Sequence, residues 1–133
     1  MKRVVRMAAI FTIFEIVISA FSGFVAKQWP QTRGKLLYVD YVLYAIFGAL
    51  LAVRGHTRFV IVIATAACVG TVDAMIGGPL GILFGPPQRG RTPLVFILTL
   101  NQIVYPTLVV LAAAVGAGAA WPFRRIDNPP PSA

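Results

Sequence analysis

The chain has 133 residues, 58% of them apolar and 12% charged, with a formal charge of +8 and a mean hydropathy of +0.80. A soluble domain carries about 25% charged residues, so this composition describes a membrane protein of one compact unit and not a soluble fold. The basic charge does not point to nucleic acid. Lys and Arg gather in short groups at the ends of apolar runs, where they meet anionic lipid headgroups, and no basic face remains between the runs.

Four spans follow in chain order: 4–25, 36–53, 59–84 and 94–120. Each reaches or approaches the roughly 20 residues needed to cross about 30 Å of hydrocarbon at 1.5 Å per residue. A backbone in lipid must satisfy its own hydrogen bonds, so the spans are expected to be helices. The alternating segments of about ten residues that a barrel needs are absent. The fold class is therefore an all-α, four-helix integral membrane bundle. The N-terminal MKRVVR would suit a signal peptide, but the apolar stretch after it exceeds the usual 7–15 residues and holds a glutamate. It reads as a retained span.

The first span carries Thr12, Glu15, Ser19 and Ser22 at spacings of three and four, a polar stripe on one helix face. A carboxylate at a helix centre costs roughly 2.5–3.5 kcal/mol on insertion scales, and such groups usually face a bundle interior or a wet cavity. Glu15 is the first candidate for a proton- or cation-exchanging group; the plain alternative is a hydrogen-bonded packing residue. The next connection, 27–35, contains Trp29-Pro30 and Gly34. Trp29 and Trp121 mark span ends at the headgroup level.

Asp40 opens the second span, with Tyr44 one turn on. Asp40 reads either as a second cation-binding carboxyl or as a boundary residue paired with Lys35 or water. His56 is the only histidine and sits in the tight connection 54–58, so it cannot supply both axial ligands of a haem. A metal site built on it and the lone Cys68 is equally thin. Cys68 reads as a small buried hydrophobe.

The third span holds Asp73, the third candidate carboxyl. Ala66, Gly70, Ala74 and Gly78 form a small-residue row that admits another helix closely. Gly77-Gly78-Pro79 then removes side-chain bulk and one backbone donor, so a break is expected there. The connection 85–93 is dense in Gly and Pro.

The fourth span begins with Asn101, Gln102 and Tyr105, expected to line a pathway or to hydrogen-bond across helices. Pro106 leaves the Gln102 carbonyl without its helical donor and predicts a kink. Ala112, Gly116 and Ala120 form a second small-residue row, and Ala114 with Gly118 a third. The tail from Pro122 ends in NPPPSA and is expected to be disordered. Helix direction puts Asp40, Asp73 and Asn101–Gln102 in the half nearer the connections 27–35 and 85–93, with Glu15 near mid-depth. Lateral convergence would make a polar cavity opening toward those connections.

An even number of spans puts both termini on one side. That side carries seven basic residues (Lys2, Arg3, Arg6, Arg54, Arg58, Arg124, Arg125) against five (Lys27, Arg33, Lys35, Arg89, Arg91) in the opposite connections. The termini are thus expected to face the cytoplasm, in a bacterial inner membrane by default. No Gly-rich phosphate loop, CxxC pair or Ser/His pairing occurs, and no nucleophile–base pair can be named. An enzyme is not the expectation, and no cofactor or metal is implied.

Glu15 in mid-span, Phe21-Ser22-Gly23-Phe24 and Trp29-Pro30 give the first span and its turn a layout that resembles the small multidrug resistance transporters. They too have four spans in a chain of similar length. The resemblance implies a membrane bundle, and their dual topology agrees with the small charge bias here. It stops at the third span, where Asp73 and Gly77-Gly78-Pro79 stand in place of the aromatic and glycine pattern of that family. The function expected from the residues is a small oligomeric transporter or channel using intramembrane carboxylates. The rival is an accessory or assembly subunit whose small-residue rows dock helices of other chains.

Overall fold

The computed structural model describes residues 2–54, 58–86 and 94–125, with side chains throughout except at 33, 94–101, 124 and 125. The chain forms α1 (Lys2–Gln28), a 3-10 turn (Pro30–Thr32), α2 (Arg33–Val53), α3 (Phe59–Phe84), α4 (Leu94–Ala120) and a closing 3-10 turn (Trp121–Arg125). Four helices are long and apolar enough to cross a membrane. An all-helical membrane architecture follows from that length and hydropathy.

The helices stop where their sequences remove helical options. Pro30 ends α1, and Thr32 ties the turn by donating its hydroxyl to the Trp29 carbonyl at 2.7 Å. Gly85 ends α3 in an extended conformation, φ −79° and ψ 179°, as expected for a residue preceding a proline, here Pro86. α1 and α2 extend by a few residues beyond the apolar spans, because Lys2, Arg3, Lys27 and Arg33 continue a helix readily at its polar ends.

Two expectations change. The interruption at Gly77-Gly78-Pro79 does not end the helix, since α3 continues through Pro79 to Phe84. Pro79 forfeits only its own N–H, and unwinding further in hydrocarbon would strand more backbone groups. α4 also runs through Pro106 as one continuous helix, which is compatible with the kink expected there. Residues 122–125 of the expected tail are helical rather than disordered, because Trp121–Arg125 forms a 3-10 turn. Trp121 packs edge-on against Phe59 at 6.1 Å between ring centroids. The C-terminal NPPPSA, His56 and most of the connection 85–93 lie outside the described residues.

Packing does not follow chain order. α1 lies against α3, α3 against α4, and α4 against α2, while the sequential pair α1 and α2 touches much less. Small residues set these seams. A Cβ at Gly48 would fall on the Ala113 carbonyl oxygen, and one at Gly116 on the Ala45 carbonyl oxygen, so α2 and α4 meet backbone to backbone. A Cβ at Gly70 would come within 2.8 Å of Val109, which closes α3 on α4. A Cβ at Gly81 would lie 3.2 Å from the Ser19 carbonyl oxygen, which closes α1 on α3.

The two halves of the bundle differ. Toward the termini the interior is solid, with Val4, Tyr44, Phe47, Leu51, Val62, Val69 and Val109 buried together and Met7 and Phe11 packed on them. Toward the connections 27–35 and 85–93 the same bundle is hollow.

Candidate functional site

Asp73 occupies the centre of the bundle, 1% exposed. Three hydroxyls from three other helices donate to it. Tyr105 of α4 reaches Oδ2 at 2.7 Å, Tyr44 of α2 reaches the same oxygen at 3.4 Å, and Ser19 of α1 reaches Oδ1 at 3.2 Å. The 3.4 Å contact is long for an O–H···O bond, so Tyr105 and Ser19 are the stronger anchors. Gly77, one turn beyond Asp73, provides the room, because a Cβ there would fall on Asp73 Oδ1 and lie 3.0 Å from Ser19 Oγ. Each such bond contributes about 0.5–1.5 kcal/mol, and about 1.5–3 kcal/mol while Asp73 is ionised. Asp73 is therefore fixed in place by the bundle it stabilises.

The hollow half forms a cavity of about 220 Å³. Asp73, Ser19, Ser22, Asp40 and Tyr105 bring polar groups to it, and Ala26, Leu36, Leu37, Ile82 and Pro86 supply apolar wall. Gly77, Gly78 and Gly81 of α3 contribute a face without side chains. Because 26, 36, 85 and 86 lie at the loop ends of their helices, the cavity faces the connections 27–35 and 85–93.

Asp40 lines this cavity and is 9% exposed, yet its Oδ1 has no hydrogen-bond partner. That oxygen receives no bond from Lys35. Glu15 is deeper, four residues before Ser19 on α1 and 0% exposed, and neither of its oxygens has a partner. It lies within electrostatic reach of Asp73 and Asp40. Along their own helices, Asp40 is roughly 10 Å, Asp73 roughly 16 Å and Glu15 roughly 20 Å from the loop-side ends, at 1.5 Å per residue. The carboxyls form a staircase from the loop-side end of the bundle to the middle of α1. Below the last step the bundle is shut by Phe11 stacked on Phe47, centroids 4.1 Å apart, with Tyr44 edge-on to Phe11 at 5.2 Å.

A buried carboxyl with no donor costs about 1–3 kcal/mol, more if charged. Glu15 and Asp40 must therefore meet a proton, a water or a cation that the protein itself does not supply. Among the described residues, no group of three His, Cys, Asp or Glu side chains is close enough to hold a metal ion.

The remaining sequence candidates separate. Thr12 donates to its own helix, at Ala8 O, 2.9 Å, which is the usual back-bond of a mid-helix threonine. Gln102 is exposed on the outer surface of α4 and does not line the cavity. The Asn101 side chain lies outside the described ones. Cys68 is exposed on the surface of the bundle, contrary to the buried hydrophobe expected, because it falls outside the seam formed by Ala66, Val69 and Gly70. Sequence reasoning missed the Phe11–Phe47 closure and the wall of Leu36, Leu37 and Ile82. Phe11 was within reach of it, since it precedes Glu15 by one turn on the same face.

Comparison with protein-family models, with curated proteins and with solved structures finds no match to this chain.

Proposed function

We propose that the protein is a small membrane transporter or channel in which Glu15, Asp73 and Asp40 pass protons or a small cation along the staircase they form. The observation that carries the reading is the arrangement of three buried acids from three different helices at and beneath one cavity, with two of them unpartnered. Acids bought only for packing would be expected to have their oxygens satisfied, as those of Asp73 are. In this reading the cavity is the open vestibule and the Phe11–Phe47 stack the closed end. Gly77-Gly78-Pro79 and a kink at Pro106 are the flexing points, because each proline leaves one helix carbonyl without its donor. With the termini in the cytoplasm of a bacterial cell, the vestibule opens away from the cytoplasm. Four helices leave little wall around a pathway, so the working unit is a homo-oligomer, most simply a two-fold dimer.

The test is flux in reconstituted vesicles. Glu15→Gln keeps the shape of the side chain and removes its charge and titration. It is expected to abolish flux while the protein still expresses and assembles. Unchanged flux in a folded Glu15→Gln protein removes this mechanism.

The accessory-subunit reading has one observation in its favour. Gly118 is exposed, and a Cβ there would have nothing within 4 Å, which leaves room for another helix to approach α4 closely. Against it, the rows through Gly70 and Gly116 are already used inside the chain. Native mass analysis after gentle extraction separates the two readings: a homo-oligomer favours transport, and stoichiometric larger partners favour the subunit.

A further inference from the structure

The hydrogen-bond inventory of the cavity specifies the kind of cation it takes, on the premise that a cation is the cargo as proposed above. Asp73 already accepts from Ser19, Tyr44 and Tyr105, which uses most of the lone-pair capacity of a carboxylate. Asp40 differs. It lines the same cavity, is more than nine-tenths buried, and its Oδ1 receives no donor. Glu15, beneath Ser19, lacks donors on both oxygens. The hydroxyls of Ser19 and Tyr105 are committed to Asp73. Apart from the Ser22 hydroxyl, the side chains lining the cavity offer acceptors and negative charge, so most of the donors must come from its occupant.

Size and wall chemistry narrow the choice. Hard metal ions take six or more oxygen ligands in a tight shell, and among the described residues no group of three His, Cys, Asp or Glu side chains gathers to anchor one. The cavity, about 220 Å³, is several times the ~30 Å³ share of one water. A bare ion would leave that volume, and the apolar surfaces of Leu36, Leu37 and Ile82, without a partner. An ammonium group on a short hydrocarbon uses both, since it carries three N–H donors and one charge.

We propose that the cavity binds a small primary ammonium ion, its N–H donors meeting the unpartnered oxygen of Asp40 and its short alkyl body lying against Leu36, Leu37 and Ile82. Specificity comes from the donors as well as the charge. A quaternary ammonium of similar size has the charge without the donors and is a poor ligand.

The experiment is calorimetric titration of the purified full-length protein in detergent with n-butylammonium, tetramethylammonium and sodium chlorides at constant ionic strength. Butylammonium is expected to bind at least about tenfold more tightly than either other cation, equivalent to about 1.4 kcal/mol. Asp40→Asn is expected to weaken it by a similar factor. Equal binding of tetramethylammonium, preference for sodium, or no binding of butylammonium overturns the proposal, as does an Asp40→Asn protein that binds unchanged. If Asp40→Asn does not survive extraction, Ser22→Leu fills the cavity from α1 and leaves Asp40 in place; it is expected to weaken butylammonium equally, and unchanged binding again overturns the proposal. Binding without flux in vesicles would support the site and remove the transport reading. Flux without butylammonium binding would do the reverse.

Discussion

Replacing Gly77 by alanine is a small change for which two physical effects predict opposite outcomes. Helix propensity alone favours the change by at most about 1 kcal/mol. The structure opposes it, because the new methyl group would fall on Asp73 Oδ1 and lie 3.0 Å from Ser19 Oγ. Asp73 is on the turn before Gly77 in the same helix, so the backbone cannot withdraw and the carboxyl must rotate. Rotation loses or lengthens the bond from Ser19 at 3.2 Å and that from Tyr105 at 2.7 Å. At about 1.5–3 kcal/mol per bond to an ionised acceptor, losing even one outweighs the propensity gain, and losing both costs about 3–6 kcal/mol. Gly77→Ala is therefore expected to be destabilised by about 0.5–2 kcal/mol if one bond is lost and about 2–5 kcal/mol if both are, after the helical gain is subtracted. Gly118→Ala is the control, since that position has nothing within 4 Å, and it is expected to be neutral or slightly stabilising. The assay is denaturant titration in mixed micelles followed by circular dichroism and tryptophan fluorescence. A Gly77→Ala protein at least as stable as Gly118→Ala would refute the placement of Asp73 against Gly77.

Other consequences can be checked in the same preparations. Tyr105→Phe removes the 2.7 Å donor to Asp73 and should cost about 1.5–3 kcal/mol, whereas Tyr44→Phe removes a 3.4 Å contact and should cost less; the order is read by the same titration. Gly116→Ala and Gly48→Ala each place a methyl on a facing backbone carbonyl and should destabilise the bundle by about 1–3 kcal/mol through overpacking. Phe11→Ala opens the stack with Phe47 and should raise passive proton leak in vesicles; a leak equal to wild type would show that closure lies elsewhere.

Much of the architecture was legible in the chain because lipid leaves few options. Apolar runs of helical length bounded by Lys, Arg, Gly and Pro give α1 to α4 almost to the residue, since a membrane helix ends where its hydrophobic sequence does. Depth was legible too, because rise per residue is fixed, and it put Asp40 and Asp73 nearer the loop side with Glu15 at mid-membrane. Lateral placement was not. Nothing in the spacing of Ser19, Tyr44 and Tyr105 says that three helices turn those hydroxyls onto Asp73; that depends on which helices are neighbours, and here α1 packs on α3 while α2 packs on α4. Gln102 illustrates the same limit, being polar and at a suitable depth yet on the outer face of α4. The glycine run was legible as a weak point in α3, but its closest structural consequence is the space Gly77 leaves for a carboxylate.

The most direct measurement of the central claim is proton movement into vesicles containing equal amounts of folded wild-type and Asp73→Asn protein, reported by a trapped pH-sensitive dye after an external acid step. In the proposed staircase Asp73 is the step between Asp40 and Glu15, so the account predicts flux in the wild type and none above empty vesicles in Asp73→Asn. Equal flux in both proteins would contradict it.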